Sequence, residues 1–161
     1  MRDIIPESDK RFRYRVEVRD SSWFQDLAYS FFANNKQQYV YVWSQLADIR
    51  TPPIVTTDFI YIRFIGDRTI QERDFGKIQK DRVSEMKTWA RFIKRARDEE
   101  QDRLNLAIVA ANNHYAGFGP GTVNTFRKML DLSEVPWNDV EIPITGEDSS
   151  SNTKQTSLSD F

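Results

Sequence analysis

The stretch Arg11-Phe12-Arg13-Tyr14-Arg15-Val16-Glu17-Val18-Arg19 sets the reading of the whole chain. Apolar and charged residues alternate through it without a break. Phe12, Tyr14, Val16 and Val18 share one face, and Arg13, Arg15, Glu17 and Arg19 share the other. A period of two is the period of a β-strand. Ser21-Ser22 then offers an N-cap, and Trp23 to Lys36 reads as a helix. Trp23, Leu27 and Phe31 recur at i, i+4 and i+8, and Phe24, Ala28 and Phe32 widen the apolar stripe.

The same alternation of strand and helix continues. Tyr39 to Trp43 is β-branched and aromatic and is predicted as a second strand. Thr51-Pro52-Pro53 forces an extended loop, and no helix is predicted between the second and third strands. Asp58 to Ile65 is a third strand, with Ile60, Ile62 and Phe64 on one face and Phe59, Tyr61, Arg63 and Ile65 on the other. Arg68 to Gly76 is polar loop. Val83 to Glu100 is a helix with a core stripe of Val83, Met86, Ala90, Ile93 and Ala96. Leu104 to Ala111 is an almost continuous apolar run, expected to be a strand buried on both faces. Asn112 to Gly121 reads as a polar, glycine-rich loop, and Thr122 to Leu132 as a helix turning Val123, Phe126 and Leu130 inward. Strand alternating with helix implies parallel strands joined by crossovers, an α/β fold.

Bulk properties narrow the function classes. The chain has 161 residues and a formal net charge of −1, which suits one domain and gives no overall drive toward nucleic acid or anionic membranes. There is no cysteine, so disulfides, thiolate metal sites and a cysteine nucleophile are excluded. His114 is the single histidine. A multi-histidine metal site is therefore impossible, and no cofactor is implied. No apolar run approaches the roughly 20 residues that span a bilayer, and Met1 to Arg15 lacks the apolar stretch of a signal peptide. A soluble cytoplasmic protein without membrane contact is the expectation. From Gly146 onward Ser, Thr, Asn and Asp dominate, so residues 138–161 are expected to form a disordered tail behind a domain of residues 1–137.

Four motifs then resemble one family. Val16-Glu17-Val18-Arg19-Asp20-Ser21-Ser22-Trp23 resembles the E-F-R-H-x-S-W signature of the YecE-like family, domain of unknown function 72. Thr57-Asp58-Phe59-Ile60-Tyr61-Ile62-Arg63-Phe64-Ile65-Gly66 resembles its T-x-D-F-x-Y-x-R-x-H-G strand, and Asn112-Asn113-His114 its F-N-N segment. Thr122 to Leu130, with Asn124, matches its final helix in kind. The four follow in the family's order between about residue 14 and residue 132. The resemblance implies a TIM (β/α)8-barrel and no established activity. Two histidines of the family pattern are Asp20 and Ile65 here, so no chemistry resting on them transfers. A full barrel takes about 250 residues. The resemblance therefore implies a partial barrel of about four parallel strands with helices outside, and a fragment or truncated chain.

In such a barrel, strand residues alternate between interior and helix layer, and sites lie at the C-terminal strand ends. Phe12, Tyr14, Val16, Val18, Ile60, Ile62 and Phe64 should face helices. Arg13, Arg15, Glu17, Arg19, Tyr61 and Arg63 should face inward. Glu17, Arg19 and Arg63 then stand at the mouth, beneath Asn112, Asn113 and His114. Two readings compete. In one, Glu17 only neutralises Arg19 or Arg63 in a structural network. In the other, the arginines grip phosphate or carboxylate, with Tyr61, Asn112, Asn113, Gly119 and Gly121 as further ligand contacts and Glu17 and His114 as candidate catalytic groups. Arginine neighbours weaken Glu17 as a proton carrier. Gly117, Gly119 and Gly121 fit a phosphate-binding turn before a helix, and equally an ordinary turn around Pro120. The Lys80 to Arg103 charge run reads as a solvated helix face. The expected partners are an anionic small molecule or nucleic acid, with self-association or a partner half completing the barrel. A non-catalytic nucleic-acid-binding module and an inactive fragment are the alternatives.

Overall fold

The computed structural model describes residues 11–35 and 38–136. Four strands, β1 (Tyr14–Val16), β2 (Tyr39–Leu46), β3 (Phe59–Gly66) and β4 (Leu106–Ala111), form one sheet in the order β1-β2-β3-β4. Each pair of neighbouring strands is parallel. The helices are α1 (Asp26–Asn34), α2 (Val83–Glu99), the short α3 (Asn113–Ala116) and α4 (Gly119–Met129). No helix among the described residues is long and apolar enough to cross a membrane. The 138–161 tail lies outside the described residues.

The helix-facing side of the sheet holds the core. Ile62 and Phe64 are fully buried, and Ile60 is 2% exposed, on the face that the alternation assigns to the helices. Trp43 stacks on Trp89 of α2 with ring centroids 6.0 Å apart, and the Trp89 indole donates to Gln45 at 3.2 Å. Phe64 stacks on Tyr115 at 4.9 Å and meets Phe126 of α4 edge-on at 5.1 Å. Each such ring contributes roughly 1.5–3 kcal/mol by leaving water. The α2 stripe runs through Met86, Trp89, Ala90, Ile93 and Ala96. Val83 was expected in it but is 36% exposed, because it opens the helix before the stripe turns onto the sheet.

Between β2 and β3 no helix forms. Instead the chain folds back along β2: Thr51 N–H donates to the Ser44 carbonyl at 3.1 Å. The Trp43 indole donates to the Ile54 carbonyl at 2.9 Å. The Pro52-Pro53 pair keeps this segment extended, and Thr51 and Thr56 hydroxyls accept from the Ser44 and Tyr41 amides. An extended strap thus covers the part of β2 that a crossover helix would otherwise bury.

Several expectations need correction. The first strand pairs only over Tyr14–Val16, because it is an edge held on one side by β2 residues Tyr39–Tyr41. Leu27 is 76% exposed: α1 starts at Asp26, and its packing face is set by Ala28 and Phe32. β4 is not buried on both faces. Leu106 is 54% and Ile108 37% exposed, since β4 ends the strand order and nothing among the described residues covers its other face. Nor is Asn112 to Gly121 a loop. Asn112 caps α3 by accepting from the His114 amide at 3.0 Å. Pro120, with its preset φ and no N–H to waste, sits in the first turn of α4, which therefore begins at Gly119.

Candidate functional site

The inner face of the sheet, opposite the helices, is built from long polar side chains over small ones. On β2 this face presents Val40, Val42 and Ser44, each at most 1% exposed. No helix among the described residues covers them. They are covered by side chains of β1 and β3 that meet across β2. The Arg13 guanidinium lies 4.5 Å from the Phe59 ring centre and donates to Asp58 at 2.6 Å. Arg15 lies 4.3 Å from the Tyr61 ring centre. Glu17 accepts from Arg63 Nη1 at 2.6 Å. These are three successive rungs. The register explains them: Arg15 pairs with Val40, so Glu17 stands level with Val42, and Arg63 pairs with Ser44. The last rung therefore crosses β2 diagonally between Val42 and Ser44.

That last rung is the polar cluster that the alternation predicts at the C-terminal ends of the strands. Glu17 is its hub. Oε1 accepts from Arg19 Nε at 2.8 Å and Nη2 at 2.7 Å, and Oε2 accepts from Arg63. The Glu17 side chain is 12% exposed, against 38% for Arg63 and 59% for Arg19. Two arginines on one carboxylate leave one positive charge in surplus, and it lies on the more accessible groups. Beside it, the Ser44 hydroxyl is fully buried and has no hydrogen-bond partner among the described residues. A buried hydroxyl left unpaired costs about 1–3 kcal/mol, and the Tyr41 hydroxyl in the helix-side core is in the same state.

Asp20 stands where the family pattern has histidine. Its carboxylate accepts from the Ser22 amide at 2.8 Å and caps the Ser21–Trp23 turn. The hydrogen bonds from Ser22 hold its carboxyl below the usual range. The departure is thus a change to a capping residue, set just past Arg19.

The other sequence-derived candidates do not join this cluster through any hydrogen bond. Asn113 Oδ1 accepts from the Gly119 amide at 2.7 Å, tying α3 to the start of α4. His114 Nδ1 is 3.2 Å from the Ile70 carbonyl, and the ring packs edge-on against Phe75 at 4.9 Å. The glycines serve close packing. At Gly119 a Cβ would stand 2.6 Å from the Ala111 carbonyl oxygen, and at Gly66, with φ of +83°, it would run into the backbone of His114 and Tyr115. Asn112, Asn113, His114 and Gly119 thus lock α3 onto the ends of β3 and β4. Gly121 lies inside the first turns of α4. Asn124 likewise holds structure. Its side-chain amide makes paired 2.9 Å hydrogen bonds with the Val135 backbone and pins the chain after α4.

A second network involves Lys80, Arg82 and Glu85 from the start of the Lys80 to Arg103 run, expected as a solvated helix face. Asp67, just after β3, accepts from Lys80 at 2.6 Å and from Arg82 at 3.4 Å. Arg82 also donates to Glu85 at 2.8 Å and to the Tyr115 carbonyl at 3.0 Å, and the Tyr115 hydroxyl donates to Glu85 at 3.0 Å. The Lys80 hydrogen bond, supported by Thr69, holds the Asp67 carboxyl far below the usual range. Burial, with Glu85 adding to it, pushes the Tyr115 phenol up. Here every charge has a partner. No group of three or more side chains suited to a metal ion occurs among the described residues.

A model of the family described as protein of unknown function DUF72 matches residues 1–143. No curated protein matches the chain. Among solved structures, a DUF72 family protein from Thermotoga maritima is 26% identical, with a TM-score of 0.55 over 74% of this chain and 46% of its own. A DUF72 family protein from Enterococcus faecalis, in two crystal structures, is 18% identical, with TM-scores of 0.53 and 0.54. Those alignments take in 77% and 75% of this chain and 50% and 49% of theirs. The chain spans about half the length of the solved relatives it matches.

Proposed function

The chain belongs to the DUF72 family, described as of unknown function, and on that premise we propose that the C-terminal mouth of its sheet binds a small oxyanion such as a phosphate group. The sheet is read as part of a (β/α)8 barrel, whose ligands sit at this end of the strands. The observation that carries the proposal is the buried, unpartnered Ser44 hydroxyl beside the Glu17–Arg63 rung. An oxyanion lodged there accepts from Ser44 and from the remaining N–H groups of Arg63, with Arg19 closing from the rim. Glu17 has both oxygens engaged by guanidinium groups. Its role is to position the two arginines, and no reaction is assigned to it. Among the described residues, Asn112, Asn113, His114 and Gly119 make no hydrogen bond to this cluster and serve to hold α3 at the ends of β3 and β4, and Gly121 lies within α4. Tyr61 holds Arg15 below the mouth.

Thermal melting in the presence of inorganic phosphate or a sugar phosphate tests the reading. Saturable stabilisation of the chain, lost in Arg63→Ala, is the expected result. Equal melting temperatures with and without ligand would rule it out.

A second reading has its own observation. Arginines lying on aromatic rings across an open sheet face, Arg13 on Phe59 and Arg15 on Tyr61, resemble a surface on which single-stranded bases stack. The net charge of −1 weighs against it. Oligonucleotide binding with a steep inverse dependence on salt would favour it over the small-anion site.

A further inference from the structure

The helix layer carries a cavity of about 500 Å³ between α2 and the end of α4. Lys87, Arg91 and Lys94 line it, at positions i, i+4 and i+7 that share one side of a helix. Ala90, 4% exposed, and the half-buried Met129 of α4 give it an apolar part. Among the described residues no carboxylate lines it. Lys87 and Arg91 are exposed, and neither makes an ion pair among the described residues. Arg91 donates to the Thr88 hydroxyl at 3.2 Å. Lys94 reaches Asp131 at 2.9 Å, a side chain that is 83% exposed. Three cations thus share one carboxylate. The cations on either side along the chain are spent: Arg82 pairs with Glu85 at 2.8 Å, Arg95 with Glu99 at 3.7 Å and Arg97 with Asp98 at 3.0 Å.

We infer that this cavity is a docking site for a short acidic peptide segment of a partner protein, bound extended, with carboxylates at alternate positions and an apolar residue between them. Spacing and charge select this occupant. Lys87 and Arg91 stand about 6 Å apart along the helix axis, and Lys87 and Lys94 about 10 Å. Alternate side chains of an extended chain recur about every 6.6 Å. Two carboxylates two residues apart therefore meet two of the cations on α2. The residue between them turns to the opposite side, where Met129 of α4 stands. Carboxylates bound the cationic stretch at both ends, Asp81 and Glu85 before it and Asp98, Glu99 and Glu100 after it. A nucleic-acid backbone runs past so short a stretch into like charge, and its phosphates bring nothing apolar to Ala90 and Met129. A short acidic peptide stays within the stretch and uses both kinds of contact. The inference does not depend on anion binding at the mouth, since none of these residues belongs to the Glu17–Arg19–Arg63 cluster.

Fluorescence anisotropy with the full chain and a fluorescein-labelled peptide of alternating glutamate and valine tests it. Saturable binding is expected, weakened about tenfold or more in the double variant Lys87→Glu/Arg91→Glu. Both positions are exposed, so the helical circular dichroism should be unchanged. If it is not, Lys87→Gln/Arg91→Gln takes its place, with the same direction of effect. Arg50→Glu/Arg73→Glu makes the same change of net charge at exposed positions elsewhere and should leave the affinity within about twofold. Met129→Gln should weaken the glutamate-valine peptide about threefold or more and leave a peptide of alternating glutamate and serine unchanged. Four results would each overturn the inference: no saturable binding below about 1 mM peptide, an equal loss in both charge-reversed double variants, indifference of the glutamate-valine peptide to Met129→Gln, or tighter binding of a single-stranded oligonucleotide of equal charge.

Discussion

On the helix side of β2 and β3, Trp43, Ile60, Ile62 and Phe64 are at most 2% exposed and meet the rings of Trp89, Tyr115 and Phe126. On the other side of the same strands, Val40, Val42 and Ser44 are equally buried, yet arginines, a glutamate and two aromatic rings of β1 and β3 cover them. One side hides its apolar atoms behind helices. The other hides them behind the stems of charged side chains whose heads pair across the sheet. A sheet residue can thus be buried without a helix over it, but what buries it remains charged, oriented and within reach of a ligand.

Substitutions should separate the two sides. The largest effect is expected at Trp89→Ala, which opens a cavity against Trp43 and should cost about 3–5 kcal/mol in chemical denaturation. Glu17→Ala should cost less, about 1–3 kcal/mol, by removing the acceptor of two guanidinium groups. It should also loosen Arg19 and Arg63. Glu17→Gln, which keeps one acceptor oxygen, should recover part of the loss. Arg15→Ala removes one cation–π contact of an exposed arginine and should cost about 0.5–1 kcal/mol. A loss at Arg15 as large as that at Trp89 would mean that the two sides are not held differently.

The Asp67 network supplies a pH test of smaller size. The Lys80 hydrogen bond depresses the folded-state pKa of Asp67. A depressed carboxylate contributes stability that is present above its unfolded pKa, about 3.9, and is lost as pH falls toward the folded value. Asp67→Asn should therefore destabilise the protein by on the order of 1 kcal/mol at pH 7. The gap between variant and parent should narrow progressively below about pH 4. A gap that is unchanged at pH 3 would assign the effect to hydrogen bonding independent of charge.

Strand positions and facing were legible in the sequence because period two is a local property. From Tyr14 to Val18 and over Asp58–Ile65 the alternation announces which residues meet the helices, whereas Phe12, expected on that face, is 58% exposed. The grouping of Glu17, Arg19 and Arg63 followed from the alternation only together with the barrel that the family resemblance implies. Four features were not legible, and three of them depend on neighbours distant in sequence. Whether Leu106-to-Ala111 is covered on one face or two depends on what lies beyond β4, and the run itself carries no sign of it. Asn112 to Gly121 looks like a loop because glycine and asparagine predominate. Here Asn112 and Asn113 act as caps, Pro120 starts a helix, and Gly119 permits close contact with the Ala111 carbonyl. Lys80, Arg82 and Glu85 read as solvated helix charges until Asp67 and Tyr115 come against them through the fold. The signal that could have found that network is the Asp directly after the strand-ending Gly66. Ser44 gave no signal at all, since nothing local distinguishes a buried serine that lacks a partner from one that has found it.

The inner face contains arginines of two kinds, those spent on aromatic rings (Arg13 and Arg15) and those at the mouth (Arg19 and Arg63). Titrating the arginine-labelled protein with inorganic phosphate, and following the side-chain Nε–H signals by NMR, tests the anion site most directly. Saturable shifts at Arg63 and Arg19, with Arg13 and Arg15 unmoved and the Arg63 response lost in Ser44→Val, are the predicted result. Shifts that are linear, or shared by all four arginines, or absent, would contradict it.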